Sequence, residues 1–136
     1  MNFEEGLRLG YAKKMPVDKL RAENLIRSAE QAIKTAKGIR LNENSAKTIL
    51  RELYEGLREC SESIGYFKGY KFLSHEIITA FIADVLKNKK ISEKFDSYRK
   101  IRNGINYYGE SVETETVSDA IREVPELIKE LKNYFG

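Results

Sequence analysis

One cysteine, one histidine and two prolines are all that this chain of 136 residues holds of those three types. The lone thiol, Cys60, excludes an internal disulfide framework, and it leaves no Cys/His cluster of the kind that binds zinc. Apolar runs fall well short of the ~20 residues that span a bilayer, and nothing resembles a signal peptide. The expectation is a cytoplasmic protein with no membrane segment, no cofactor and no metal. Pro16 and Pro125 are the only prolines, and no repeat, low-complexity tract or Pro/Ser-rich linker divides the sequence. This length suits one domain over 1–136, with 1–15 as a short helix or arm.

Charge is abundant but uneven. The net charge is +3; residues 1–109 hold 21 Lys/Arg against 14 Asp/Glu, and residues 110–136 hold 3 against 7. A basic body with an acidic final segment can bind polyanions and restrain that binding itself, although ordinary solvated helix faces have the same composition.

Apolar residues recur with helical spacing nearly everywhere. Ala22, Leu25, Ile26, Ala29, Ala32, Ile33 and Ala36 form one stripe, opened by Pro16. A second comprises Ala46, Ile49, Leu50, Leu53, Leu57, Cys60 and Ile64, with Asn44 as N-cap. Ser74 caps a third helix carrying Ile77, Ile78, Phe81, Ile82 and Val85, and a fourth runs from about Ile91 to Tyr108. The fifth carries Val117, Ala120, Ile121, Val124, Leu127, Ile128 and Leu131, with Thr116 and Asp119 as a capping box and a bend at Pro125. No segment alternates as a strand. The predicted fold is all-α, a four- to five-helix up-and-down antiparallel bundle.

The unusual stretch is "YRKIRNGINYYG", residues 98–109. At ~100° per residue, Ile91, Phe95, Tyr98, Ile101, Ile105 and Tyr108 share a face, and Arg102 falls inside it. A charge in an apolar seam needs a partner. A phosphate, a second protomer, or a carboxylate from Glu52, Glu55 or Glu59 would each serve. Gly104 costs a helix roughly 1 kcal/mol relative to alanine but lets a backbone or ligand approach closely. Asn106, about 40° from Arg102, can join it, whereas Tyr107 at ~140° should not share its ligand. Gly109 then ends the helix as a C′ residue.

Taken in order, a long helix, "ILRELYEGLREC", "FLSHEIITAF" and "RKIRNGINYYG" resemble the HEPN domains, small helical proteins often encoded beside minimal nucleotidyltransferases. The resemblance covers about residues 18–133. It implies a four- or five-helix bundle that usually dimerises, with the Arg102–Tyr108 segment near the homodimer interface. Many members are metal-independent ribonucleases, acting as toxins, in defence or in RNA processing. Their signature is an arginine, often followed by a polar residue, then four to six intervening residues and a histidine. Arg102 and Asn103 match its opening. No histidine follows, and the slots hold Tyr107 and Tyr108. In some toxin–antitoxin members a tyrosine two residues beyond the histidine accepts a nucleotide from the partner transferase. Gly109 occupies that position here.

The substitution matters chemically. Attack by a ribose 2′-OH needs a base that takes a proton near neutral pH, as histidine does, while tyrosine with a pKa of ~10 does so poorly. Arginine still holds a phosphate and stabilises its developing charge. Arg102, Asn103 and Tyr107 are therefore the candidate catalytic residues, and Arg99, Arg102, Asn106 and Tyr108 the candidate RNA or phosphate contacts.

Elsewhere, His75 is the one ordinary proton carrier, although a first-turn structural role beside Ser74 is the commoner use of that position. "GYFKGYKF", residues 65–72, offers Tyr66, Phe67 and Tyr70 for base stacking with Lys68 and Lys71 for phosphates. The preferred reading is an inter-helix loop whose aromatics plug the bundle end. Tyr54 can line a site opposite Arg102, and Cys60 is expected to be buried and inert. The expected function is a HEPN-like RNA-associated protein of toxin–antitoxin or defence type, with nuclease activity weakened or lost. The alternatives are an active metal-independent ribonuclease that pairs Arg102 with Tyr107, Tyr108 or His75, and a non-catalytic partner of a minimal nucleotidyltransferase.

Overall fold

A computed structural model describes residues 1–135; Gly136, the last residue of the expected domain, lies outside the described residues. The elements are α1 (Phe3–Leu9), β1 (Ala12–Lys14), α2 (Lys19–Gly38), α3 (Ala46–Lys68), β2 (Tyr70–Phe72), α4 (Glu76–Asp84), α5 (Lys89–Tyr108) and α6 (Thr114–Leu131), followed by a 3-10 turn at Lys132–Phe135. The chain is mostly helical, with one small antiparallel ribbon joining β1 to β2.

α3 is the central element. Its apolar stripe from Ala46 to Ile64 is fully buried, and α2, α4, α5 and α6 all pack around it. α2 and α3 run antiparallel: a short loop joins the end of one to the start of the other, and Asp18 at the head of α2 donates its N–H to the Tyr66 carbonyl near the end of α3. The two helices cross closely at Gly56. A methyl there would lie 2.8 Å from Ile33 Cδ1 and 3.1 Å from the Ala29 carbonyl oxygen. Val117, Ala120, Val124 and Leu131 bury the inner face of α6, which continues unbroken through Pro125.

Several helix starts differ from expectation because a neighbouring side chain or backbone group does the capping. α2 begins at Lys19, three residues after Pro16, because the Asp18 carboxylate accepts from the Arg21 N–H. Before α3 it is Asn42, not Asn44, whose Oδ1 accepts from the N–H groups of Asn44 and Ser45. Ser74 does accept from the Ile77 N–H at 3.3 Å, although His75 occupies the N-cap position of α4. The Thr116–Asp119 capping box does not form. α6 starts two residues earlier behind an extended Glu113, and Asp119 pairs with Arg122 instead.

The ribbon is the main departure. Ala12 faces Phe72, Lys13 faces Lys71, and Lys14 faces Tyr70. Residues 65–68 continue α3, and Gly69 turns the chain in the left-handed region at φ 88°. The aromatics of this stretch are consumed in packing. Tyr66 lies under Arg21, Phe67 against Phe135, and Tyr70 edge-on to Phe3 at 5.1 Å. The N-terminal arm is thereby tied down: Phe3 is buried among Tyr70, Phe72 and Phe81, and its N–H donates to Asp84 at 2.8 Å.

Candidate functional site

α5 buries Ile91, Phe95, Tyr98 and Ile105 but presents the opposite of an apolar seam at its C-terminal end. Tyr107 is 70% and Tyr108 78% exposed, so Tyr108 leaves the buried stripe on which the spacing placed it. The helix ends at Gly109, left-handed at φ 63°, and the Glu110 N–H then returns to the Gly104 carbonyl at 3.1 Å. This return accounts for Gly104. The Glu110 carboxylate folds into the space that a Cβ would take. The close neighbour is the chain's own next turn.

Arg102 is half-buried and makes no ion pair with any described residue. None of the three glutamates expected on α3 reaches it. Glu55 is held by Arg58, and Glu52 and Glu59 make no ion pair. The guanidinium instead lies 5.7 Å from the centre of the Tyr54 ring and 5.9 Å from that of Tyr107. Both distances fall within the ~6 Å range of a cation–π contact. Tyr107 was not expected here from its angle around the helix. The reach of the arginine side chain around the helix brings the guanidinium to that ring. Among the described residues the only hydrogen bond from Arg102 is a long one, 3.3 Å, to Asn103 Oδ1. Asn106 does not join it, because its Oδ1 accepts from Arg51 Nε at 2.7 Å.

Three further arginines share the neighbourhood: Arg51, bonded to Asn106, makes no ion pair among the described residues, whereas Arg99 and Arg58 are neutralised. Arg99 donates twice to Asp96 Oδ1, at 2.7 and 3.1 Å, and Lys100 adds a third cationic contact on the same carboxylate. Desolvation pushes the Asp96 carboxyl upward, but the bonds from Arg99 and Lys100 outweigh it and hold it below its usual range. Arg58 pairs with both Glu55 and Glu62.

Beneath these cations lies a pair that the sequence did not join. The Tyr54 hydroxyl is 2.9 Å from His75 Nδ1, with the residues 21 positions apart. Tyr54 is buried and packs on Phe95 as well. Burial pushes its phenol up, against the pull of Arg102, Arg58 and Arg99. The His75 imidazole is pushed down to about 4, first by burial, then by Arg58 and Arg102, with Glu55 opposing and Arg99 adding a little. At neutral pH the site therefore holds a protonated tyrosine, a neutral imidazole and, in Arg102, a guanidinium with no carboxylate partner among the described residues. It is equipped to seat an anion and poorly equipped to take a proton. Arg58 is a neighbour of the site that the sequence reading did not single out; its place one turn after Tyr54 on α3 was the available signal.

The other polar features lie elsewhere. Acidic α6 spends Glu123 and Glu130 on Lys94 and Lys90 of α5, at 2.9 and 3.5 Å. It thus restrains those lysines and leaves Arg102 alone. Cys60 is fully buried, and desolvation pushes its thiol up to about 12. Among the described residues no group of three or more His, Cys, Asp or Glu side chains is placed to hold a metal, and no helix is long and apolar enough to cross a membrane. No family model matches the chain, and no curated protein matches it in sequence.

Proposed function

We propose that this chain is a HEPN-like helical domain of toxin–antitoxin or defence type that binds RNA through its phosphates at Arg102, with ribonuclease activity weakened or lost. The observation that carries the reading is the state of Arg102, half-buried between two tyrosine rings with no carboxylate partner among the described residues. A guanidinium held in that way is oriented, partly desolvated and free to take a phosphate oxygen pair. Exposed Tyr107 and Tyr108 beside it supply stacking faces for unpaired bases or a contact for a second protomer. The homodimer belongs to this proposal, with the Arg102–Tyr108 segments of two copies near one another.

One observation favours the alternative of a working nuclease. His75, distant in sequence from the motif, lies against Tyr54, whose ring Arg102 covers. In that reading Arg102 clamps the scissile phosphate and His75 takes the place of the missing motif histidine.

The test is cleavage and binding of labelled RNA by purified protein in EDTA, beside Arg102→Ala and His75→Gln. Binding without cleavage, lost in Arg102→Ala, is the expected result. Cleavage that disappears in both variants would replace it with the nuclease reading. Neither binding nor cleavage by the wild type would refute the RNA reading and favour docking to a minimal nucleotidyltransferase.

A further inference from the structure

His75 is surrounded by charge from two helices. Tyr54, Glu55 and Arg58 face it from α3, and Arg99 and Arg102 from α5. On its own element it sits at the N-cap of α4, where the helix dipole also disfavours a cation. Arg58 and Arg99 already have their counter-charges, so an anion arriving on Arg102 neutralises the cation acting on His75 that has no carboxylate partner among the described residues. Resting on the phosphate-binding reading, we infer that an anion seated on Arg102 favours a proton on His75, so that in mildly acidic solution its binding draws a proton from solvent onto the imidazole, and Tyr54, accepting from that ring, turns its hydroxyl hydrogen to the anion.

The proton count closes within the pair. With the ring proton on Nε2 in the free protein, it is Tyr54 O–H that donates to His75 Nδ1. After uptake Nδ1–H donates to the Tyr54 oxygen, the Tyr54 hydrogen rotates toward the anion, and Nε2–H is kept. Only an N–H bond forms. Because the imidazole of the free protein titrates at about 4, a rise of about one unit leaves it neutral near pH 7 and expresses the coupling between about pH 4 and 6. Linkage is reciprocal: a rise of about one pKa unit on anion binding makes the anion bind about tenfold more tightly to the protonated form.

As the chain has a single histidine, its one imidazole resonance reports the site without assignment ambiguity. The experiment is a proton NMR titration of that resonance in the full chain, alone, with sodium sulfate, and with a 2′-deoxy oligonucleotide that has no 2′-OH to react. Sulfate is chosen because its charge is constant over the range. The expected result is an upward shift of the His75 midpoint by about one unit with either probe. In Arg102→Gln the midpoint of the free protein should rise and the response to both probes should vanish. Amide shifts at Arg102 and Tyr107 with an unmoved His75 midpoint would overturn this inference while leaving the anion site intact. No shift at either place would overturn the phosphate-binding reading itself. A response to sulfate alone would assign the site to small free anions and contradict RNA, while a response to the oligonucleotide alone would assign it to phosphodiesters. Tyr54→Phe tests the route, since an unchanged response in that variant would remove Tyr54 from it. Counting protons taken up per sulfate by calorimetry in two buffers near pH 5 gives the same answer without a full acid titration. The expected uptake is a fraction of one proton, and zero would contradict the inference.

Discussion

Arg99 and Arg102 lie one turn apart on α5, yet they end in opposite states. Arg99 is closed by two hydrogen bonds to Asp96, three residues earlier on the same helix. The equivalent position for Arg102 is Arg99 itself, so no local carboxylate is available. The glutamates facing it on α3 either pair with Arg58 or make no ion pair. Arg102 is left on two aromatic faces, which tolerate a cation without neutralising it. A basic residue inside a helix is thus informative for function only once its counter-charge has been located. Arg99, an expected phosphate contact, already has one.

The largest expected effect tests the platform under Arg102. Tyr54→Ala removes a buried ring that touches Phe95 and His75 and should cost about 3–5 kcal/mol in chemical denaturation. Tyr54→Phe keeps the ring and should cost about 1 kcal/mol. Equal losses would mean that the hydroxyl's bond to His75, more than the packing, carries the stability.

Acid dependence comes next. His75 titrates at about 4 folded against an ordinary 6.5, so between those values the unfolded chain binds more protons. Its contribution to stability is fully present above about pH 6.5 and is lost as pH falls toward 4. His75→Gln should flatten that part of a stability–pH curve. Carboxylates held low, such as Asp96 and Glu123, should remain responsible for further loss at lower pH.

The remaining variants contrast the two arginines and the glycine between them and the helix end. Arg99→Ala should cost up to about 1 kcal/mol, since Asp96 retains Lys100. Gly104→Ala should stabilise by up to about 1 kcal/mol, because only the exposed Glu110 carboxylate must swing aside and helix propensity improves. A large loss there would show that the turn after α5 is rigid. Arg102→Ala should cost no more than about 1 kcal/mol, the loss of its contacts with the Tyr54 and Tyr107 rings, there being no ion pair among the described residues to lose. A greater loss would give Arg102 a structural role and erase its contrast with Arg99.

The sequence made the helical core legible and the site only half so. The stripes Ala46–Ile64 and Val117–Leu131 keep helical period over many turns, and the same residues line the core. β1 and β2 were hidden because each is three residues long and each finds its partner across more than fifty positions. Arg102 stood out by its place within an apolar helical stripe. Its company did not: Tyr54 with His75 is a tertiary contact, and Tyr107 meets Arg102 through the reach of the arginine side chain, which angular projection ignores. Gly104 was flagged correctly as a place of close approach, although the neighbour that approaches is Glu110.

The most direct test of the account is the affinity of a labelled single-stranded RNA for wild type, Arg99→Ala and Arg102→Ala, each measured across a salt series in EDTA. The account predicts that Arg102→Ala weakens binding about tenfold or more and lowers the salt slope by about one, while Arg99→Ala stays near the wild type. Equal losses in the two variants, or none in Arg102→Ala, would contradict it.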